Sequence, residues 1–224
     1  MKQLIATDFD GTLCRGGTVS AADRAAIDAW RADGRLFGVV TGRGTDFLDT
    51  IRELGVGFDY LSVYNGSLLI TPEGTVVKEY LIGREDFCRL ETFFDGLPGL
   101  RFHDRASEKA FYRHYYATFA DQSLALEAAA RVNGLYGDRV TAFVNGEHVN
   151  IGRKGSSKTQ GVFDALAFFG LPDDAAAVFG DDYNDLDMIV THKGWAMSSG
   201  RPEVVAAAEH VCGSIAEAVE TLMA

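Results

Sequence analysis

Short apolar runs alternate with amphipathic segments along the first third of the chain. The run LIAT at residues 4–7 is too short for a helix and apolar enough for a buried strand. Ser20 precedes a segment with helical spacing of apolar positions that stops at Gly34, which predicts an N-capped helix. The strand-like runs LFGVVTGR and YLSVYNG follow, with a helix between them at about 45–54. This alternation predicts a parallel, doubly wound α/β sheet.

The rhythm changes after YLSVYNG. LLIT and TVVKEYLI flank a Pro-Glu-Gly turn, which predicts a β-hairpin. Residues 83–152 then show the order helix, two strands, helix, two strands, which is typical of an α+β module. The alternation of helices and short strands returns after Lys154. It consists of a helix at about 157–169, the strands AAVFGD and GWAM separated by a helix, and a helix after Pro202.

These patterns together predict two domains. A Rossmann-like, doubly wound parallel core is formed by residues 1–82 and 153–224. An α+β (αββαββ) module at residues 83–152 interrupts it, and its size is close to that of the smallest independent domains.

Composition narrows the class of protein. The chain has 224 residues, of which 47% are hydrophobic, and a net charge of −11. Such an acidic balance opposes a broad nucleic-acid interface, and no apolar stretch is long enough for a membrane span or a signal peptide. The cysteines Cys14, Cys88 and Cys212 are far apart, which favours neither a disulfide framework nor a thiolate metal site. We expect a cytoplasmic protein.

Candidate catalytic groups follow the predicted strands. Asp8 and Asp10 come directly after the first strand, Thr41 ends the second, and Asp181 ends AAVFGD. Ligands of open α/β sheets bind beyond the carboxyl ends of the strands, and Lys158 begins the helix before AAVFGD. Carboxylates that meet in one crevice need a cation, and oxygen-only ligands favour a hard ion. The sequence therefore predicts a Mg²⁺ site.

A phosphate bound in this crevice suggests nucleophilic catalysis. Asp8 could form an acyl phosphate, which divides one difficult displacement into two easier ones. Asp10 could protonate the leaving oxygen and later accept a proton from water. Thr41 and Lys158 would hold the phosphoryl oxygens, and Gly11 would let the chain turn sharply away.

Four segments resemble the motifs of the haloacid dehalogenase (HAD) superfamily: DFDGT, VVTGR, the lysine of KGSSKTQGV, and GDDYNDLDM. The inserted module resembles the type-two (IIB) cap of Cof-like phosphatases. The resemblance implies that Asp8 is the nucleophile and a metal ligand. It also implies that Asp10 is the acid/base and binds the metal through its backbone carbonyl, and that Asp181 is the third protein ligand of Mg²⁺.

The resemblance also implies a phosphate-binding set and a supporting residue. The phosphate-binding residues would be Thr41, Gly42, Lys158, Asn184 and Asn65. Asp185 would support Lys158 or a metal-bound water.

The chain departs from the pattern of the family at two places. Thr159 stands where a glycine usually follows the motif lysine, and MSSG at 197–200 replaces a common Met-Gly-Asn-Ala segment. Lys154 is a rival for the motif lysine, but Lys158 follows the Ser-Ser helix start and is preferred. Asp182 and Asp187 are interpreted as a solvated loop residue and a helix-start acid.

The inserted module carries many polar and aromatic side chains. Most of them are expected to lie on solvated strand faces, with one or two facing the substrate. The sequence does not decide which, and the candidates are Arg105, Lys109, Arg113, His114, Tyr115, Asn145 and His148.

The resulting hypothesis is a Mg²⁺-dependent phosphatase that acts through an aspartyl-phosphate. Its substrate would be a small phosphorylated metabolite, such as a sugar phosphate, a nucleotide or a phosphorylated cofactor, and the protein would be a monomer or homodimer. One alternative is a phosphomutase of the phosphomannomutase type, which would require a bisphosphate activator. Another is a non-hydrolytic phospho-aspartate switch, but a general base at Asp10 would make its acyl phosphate short-lived.

Overall fold

The computed structural model describes residues 2–224, which form two compact units. The first unit contains the residues up to Lys78 together with Lys158–Ala224, and the second is Glu79–Ser157. The sequence placed the domain boundaries after residues 82 and 152, whereas the contacts within the chain place them after residues 78 and 157.

The first unit begins with strands and helices in alternation. Their bounds are β1 (Leu4–Thr7), α1 (Ala21–Ala32), β2 (Leu36–Val40), α2 (Phe47–Glu53), β3 (Tyr60–Val63), β4 (Leu68–Ile70) and β5 (Val76–Glu79). The predicted N-cap of the first helix is present, because the Ser20 hydroxyl accepts a hydrogen bond from the Asp23 amide over 3.0 Å.

The second unit has its own sheet and its own core. Its elements are β6 (Ile82–Gly83), α3 (Arg84–Phe94), β7 (Leu100–His103), β8 (Phe111–Tyr112), β9 (Tyr115–Phe119), α4 (Gln122–Tyr136), β10 (Val140–Asn145) and β11 (His148–Arg153). Four strands form an antiparallel sheet in the order β10-β11-β9-β7, and β6 pairs with β8 in a short ribbon. Buried side chains of both helices, such as Phe94 and Val132, pack with Tyr115 and Val149 of the sheet. The two helices and the four strands of the sheet follow the predicted αββαββ order, and the ribbon strands β6 and β8 are additional.

The chain then returns to the first unit. The remaining elements are α5 (Lys158–Phe168), β12 (Ala176–Gly180), α6 (Leu186–His192), β13 (Trp195–Met197), α7 (Pro202–Ala207), β14 (His210–Cys212) and α8 (Ile215–Met223). Sequence reasoning stopped at the helix after Pro202 and missed both β14 and α8. A three-residue strand is too short to show a hydrophobic period, although Ser214 is a recognisable cap that accepts a hydrogen bond from the Glu217 amide over 3.1 Å.

The sheet of the first unit has eight strands in the order β14-β13-β12-β1-β2-β3-β4-β5. The pairs from β14 to β3 are parallel, and β4 runs antiparallel to β3. β1 is fully buried near the centre, with Ile5 in the apolar cluster that includes α1 and α8, and Leu4 and Ala6 in the cluster that includes α5. Helices therefore cover both faces, and the predicted doubly wound α/β core is confirmed.

The register of the central strands determines where polar side chains meet. Thr7 at the end of β1 is level with Val39 of β2 on one side and with Phe179 of β12 on the other. The residues that follow these three parallel strands therefore lie at one edge of the sheet.

Two further observations concern the environment of the chain. None of the helices within residues 2–224 is long and apolar enough to cross a membrane. Cys14, Cys88 and Cys212 are all free thiols. The cytoplasmic location remains a prediction.

Candidate active site

A buried ion pair lies at the carboxyl end of β1. The Asp8 amide donates to the carbonyl of Phe179 over 2.9 Å, which fixes the residue between two strands. Lys158, the first residue of α5, donates through Nζ to Asp8 Oδ1 over 2.7 Å and to Asp185 Oδ1 over 2.6 Å. Its side chain is only 2% exposed, whereas the rival Lys154 is exposed and lies in the second unit.

Asp185 organises the loop that follows β12. Its side chain is fully buried, and its Oδ2 accepts the backbone amides of Asp181 and Asp182 over 3.0 and 3.1 Å. Gly180 is required beside it, because a Cβ at that position would lie 2.4 Å from the Asp185 Cβ. Both carboxylate oxygens of Asp185 are thus engaged, which suits the supporting role expected for this residue.

The site holds more negative charge than Lys158 can balance. Burial raises the pKa of Asp8 to about 8, with the nearby carboxylates adding to the shift and Lys158 opposing it. Burial also raises the pKa of Asp181 to about 6, although a hydrogen bond from Thr12 works against this. Burial lowers the pKa of Lys158, but the attraction of Asp185 and Asp8 outweighs it and the net change is upward. A cation at this place would stabilise the ionised carboxylates.

The donor atoms of the cluster fit a magnesium ion. One carboxylate oxygen from each of Asp8, Asp181 and Asp185 lies within 4.8 Å of the others. Oxygen-only donors suit Mg²⁺, which usually takes one or two protein carboxylates. Since Asp185 is committed to Lys158 and to the loop amides, Asp8 and Asp181 are the best candidate ligands. The contact expected from the backbone carbonyl of Asp10 stays a prediction.

Thr12 and Gly11 shape this part of the site. The Thr12 hydroxyl donates to Asp181 Oδ1 over 2.6 Å and orients that carboxylate. Gly11 adopts a φ of 86°, and a Cβ there would lie 2.3 Å from Asp181 Oδ2. Any side chain at Gly11 would displace the carboxylate, so the glycine serves the close approach of two loops as well as the turn.

The expected phosphate-binding residues Thr41, Gly42 and Asn65 lie together. Thr41 is 1% exposed, its hydroxyl accepts the Arg43 amide over 3.2 Å, and its carbonyl accepts the Asn65 amide over 2.9 Å. A Cβ at Gly42 would be 3.2 Å from the Asn65 side-chain amide nitrogen. Asn65 Oδ1 is buried and has no hydrogen-bond partner among the described residues. An unmatched amide oxygen is a hydrogen-bond acceptor, so it would be satisfied by a ligand group that donates, such as a hydroxyl.

Asn184 lies apart from that group in sequence. It belongs to the 3₁₀ turn Tyr183–Asp185 between β12 and α6 and is half-buried. Its contact with a phosphate remains a prediction.

Asp10 has a partner that sequence reasoning missed. Arg43 donates two hydrogen bonds to Asp10: Nε donates to Oδ2 and Nη2 donates to Oδ1, each over 2.7 Å. Both Arg43 and Thr12 stand inside the motif segments VVTGR and DFDGT. The motifs therefore contained both residues, but the sequence analysis assigned no role to the side chain of Arg43 or of Thr12.

The two departures and the two bystander acids have structural explanations. The Thr159 hydroxyl donates to Asp187 Oδ2 over 2.6 Å and links the starts of α5 and α6. Asp182 caps the 3₁₀ turn and accepts Arg201 Nε over 3.2 Å, so it is more than a solvated loop residue. In MSSG, Gly200 allows a close approach, since a Cβ there would lie 2.9 Å from the Asp181 carbonyl.

Some expected substrate-facing residues of the second unit have other roles within that unit. Tyr115 is fully buried in its core, and Arg105 pairs with Asp95 over 2.7 Å. His148 is half-buried, with Nδ1 2.6 Å from the hydroxyl of Tyr116. A contact between the other candidates and a substrate remains a prediction.

The comparisons agree with this fold. The model of the haloacid dehalogenase-like hydrolase family matches residues 5–98 and 99–220. The chain therefore belongs to the haloacid dehalogenase-like hydrolases. With its inserted αββαββ unit, it has the fold of Cof-like members with a type-two cap, as the sequence predicted. No curated protein matches this chain in sequence.

Solved structures support the fold at low sequence identity. A haloacid dehalogenase-like hydrolase from B. subtilis has 17% identity and a TM-score of 0.84, covering 99% of this chain and 98% of its own. The HAD subclass IIB sugar phosphatase BT4131 has 17% identity and a TM-score of 0.82, with 99% of both chains covered. A HAD/COF-like hydrolase from Plasmodium vivax has 16% identity and a TM-score of 0.81, covering 99% of this chain and 95% of its own.

Proposed function

We propose that this hydrolase is a Mg²⁺-dependent phosphatase that acts on a small phosphorylated metabolite through an aspartyl-phosphate at Asp8. The observation that carries the proposal is the buried carboxylate of Asp8, which is bound by Lys158 and lies beside Asp181 in an oxygen-only donor cluster. Family membership and the sugar phosphatase among the structural neighbours support the reaction class, and the substrate of that neighbour suggests sugar phosphates as the first compounds to test.

The first half of the reaction transfers the phosphoryl group to the enzyme. A carboxylate oxygen of Asp8 bonds to phosphorus while the bond from phosphorus to the leaving oxygen breaks. Asp10 gives its proton to that leaving oxygen. Mg²⁺ bound by Asp8 and Asp181 would offset the negative charge that the phosphate brings to Asp8.

The second half restores the enzyme. Water attacks the phosphorus, Asp10 accepts the proton of that water, and the bond between phosphorus and Asp8 breaks to release phosphate. During both halves Lys158 and the Thr41 hydroxyl would hold the phosphoryl oxygens, with Gly42, Asn65 and Asn184 beside them.

The function is tested by phosphate release from a panel of sugar phosphates, nucleotides and phosphorylated cofactors. We expect turnover of at least one class with Mg²⁺ and loss of turnover after chelation. Asp10→Asn should lower the rate by about 10²- to 10⁴-fold, the usual contribution of a general acid and base. Release that persists in chelator would contradict the metal requirement. Phosphoryl transfer to bound sugar that needs a bisphosphate activator and yields no free phosphate would favour the phosphomutase.

Removing the Thr12 hydroxyl should weaken magnesium binding. In Thr12→Val the carboxylate of Asp181 loses the 2.6 Å bond that orients it. Loss of such an outer contact typically lowers metal affinity by about 10- to 100-fold. The Mg²⁺ dependence of phosphate release should shift by that factor, while the rate at saturating Mg²⁺ falls much less.

Thr12→Ser is the matched control for the valine variant. It keeps the hydroxyl and should keep the Mg²⁺ dependence of the wild type. An unchanged Mg²⁺ dependence in Thr12→Val would indicate that Asp181 does not bind the metal.

A further inference from the structure

One guanidinium binds both oxygens of the Asp10 carboxylate. Arg43 Nε donates to Oδ2 and Nη2 donates to Oδ1, each over 2.7 Å. Two parallel bonds from a planar group fix the plane of the carboxylate as well as its position. Each carboxylate oxygen has a second lone pair, so Asp10 can still give or take a proton while it is held.

Arg43 is itself anchored on several sides. Its guanidinium carbon lies 5.0 Å from the ring centroid of Phe9 and 5.7 Å from that of Phe47. Both rings are buried and contact each other edge-on with centroids 4.6 Å apart. The Arg43 amide also donates to the hydroxyl of Thr41. The arginine is therefore pre-placed by the core below it and by a residue of the phosphate-binding group.

The ion pair between Arg43 and Asp10 contributes little to the stability of the fold. The side chains of Arg43 and Asp10 are 44% and 49% exposed, and ion pairs at such exposure add little stability. A half-exposed carboxylate without this restraint would sample several rotamers, whereas a general acid must lie within hydrogen-bond reach of its target oxygen. The geometry therefore serves orientation more than stability.

We propose that Arg43 is a positioning residue that holds Asp10 in the orientation from which it protonates the leaving oxygen. The inference rests on the proposed function. The guanidinium remains charged throughout turnover, so Arg43 cannot replace Asp10 as the proton donor.

The inference predicts a dependence on the leaving group. When the bond from phosphorus to the leaving oxygen breaks, that oxygen takes the bonding electrons and the proton of Asp10. An alkoxide needs this proton, whereas p-nitrophenolate is weakly basic and can leave without it. Misplacement of Asp10 should thus slow alkyl esters much more than p-nitrophenyl phosphate.

The experiment compares kcat/KM for an alkyl phosphate, phenyl phosphate and p-nitrophenyl phosphate at saturating Mg²⁺. This ratio reports the steps up to formation of the acyl phosphate, so slow hydrolysis of the intermediate does not affect it. Arg43→Gln should lower kcat/KM by about 10- to 100-fold for the alkyl ester and by about threefold or less for p-nitrophenyl phosphate. Arg43→Lys keeps the charge but loses the two parallel hydrogen bonds, so its kcat/KM for the alkyl ester should lie between those of the wild type and of Arg43→Gln. Asp10→Asn should show the same order of esters with a larger effect.

A matched control comes from Arg52, whose exposed side chain pairs with Asp49 over 3.3 Å. Arg52→Gln should leave every ester unchanged, and the melting temperatures of the Arg43 variants should stay within about 4 °C of the wild type. An equal loss on all esters, with weaker inhibition by inorganic phosphate, would make Arg43 a phosphate contact and overturn the inference alone. A wild-type protein that releases phosphate from none of these esters and from no compound of the metabolite panel would overturn the proposed function as well.

Discussion

Asp8→Asn should abolish phosphate release, by at least about 10⁴-fold, because loss of a covalent nucleophile removes the whole first step. The variant should nevertheless fold at least as stably as the wild type. Burial raises the pKa of Asp8 to about 8, so the native state disfavours the ionised carboxylate relative to the unfolded chain. Stability of the wild type should therefore fall as the pH rises from about 4 to about 8. The asparagine removes this contribution.

The measurement pairs an activity assay with thermal unfolding in the presence of a chelator. We expect the melting temperature of Asp8→Asn to exceed that of the wild type at neutral pH, because Lys158 keeps Asp185 as its buried partner over 2.6 Å. The difference should shrink as the pH is lowered, because Asp8 then becomes neutral in both states of the wild type. Turnover that survives in Asp8→Asn would rule out the acyl-phosphate route.

Lys158→Met should remove both activity and much of the stability. Its ammonium contacts Asp8 and Asp185 at 2.7 and 2.6 Å, and all three side chains are buried. Removal of one partner from a buried ion pair leaves uncompensated charge and typically destabilises by about 3–5 kcal/mol. For a chain of this size, a loss of that order lowers the melting temperature by roughly 10 °C.

Lys154→Met is the matched control, since Lys154 is exposed and was the rival for the motif lysine. It should change neither activity nor melting temperature by a measurable amount. The double variant Lys158→Met/Asp8→Asn should recover part of the lost stability, because one of the two unpaired carboxylates is gone. Loss of activity in Lys154→Met together with an active Lys158→Met would reverse the assignment.

Local patterns explain why so much of the fold was predictable. Leu4–Thr7 is buried on both faces of the sheet, so the strand opens with the apolar run Leu4, Ile5 and Ala6 and is bounded by polar residues. Ser20 caps α1 through a bond only three residues long, which leaves a signal in the sequence. The strand β14 gives no such signal, because it is three residues long and depends on pairing with β13.

The contacts between side chains at the site could not be predicted from local patterns. Thr12 meets Asp181 across 169 positions, and Arg43 meets Asp10 across 33. No local period links such partners, since the parallel register of neighbouring strands alone brings them together. The same holds for Asp187. The sequence indicated only a helix-start acid, whereas in the fold its carboxylate accepts the hydroxyl of Thr159 at the start of α5.

The sequence by itself determined which chemical groups follow which strands, and hence the acids, the lysine and the proposed phosphate-binding residues of the candidate site. Only the tertiary structure decided how those groups divide their tasks. It buries Lys158 between Asp8 and Asp185, engages both oxygens of Asp185, and leaves Asp10 half-exposed in the fork of Arg43. The physical reason is that burial and hydrogen-bond partners depend on the packing of distant segments, whereas strand ends and turns depend on neighbouring residues.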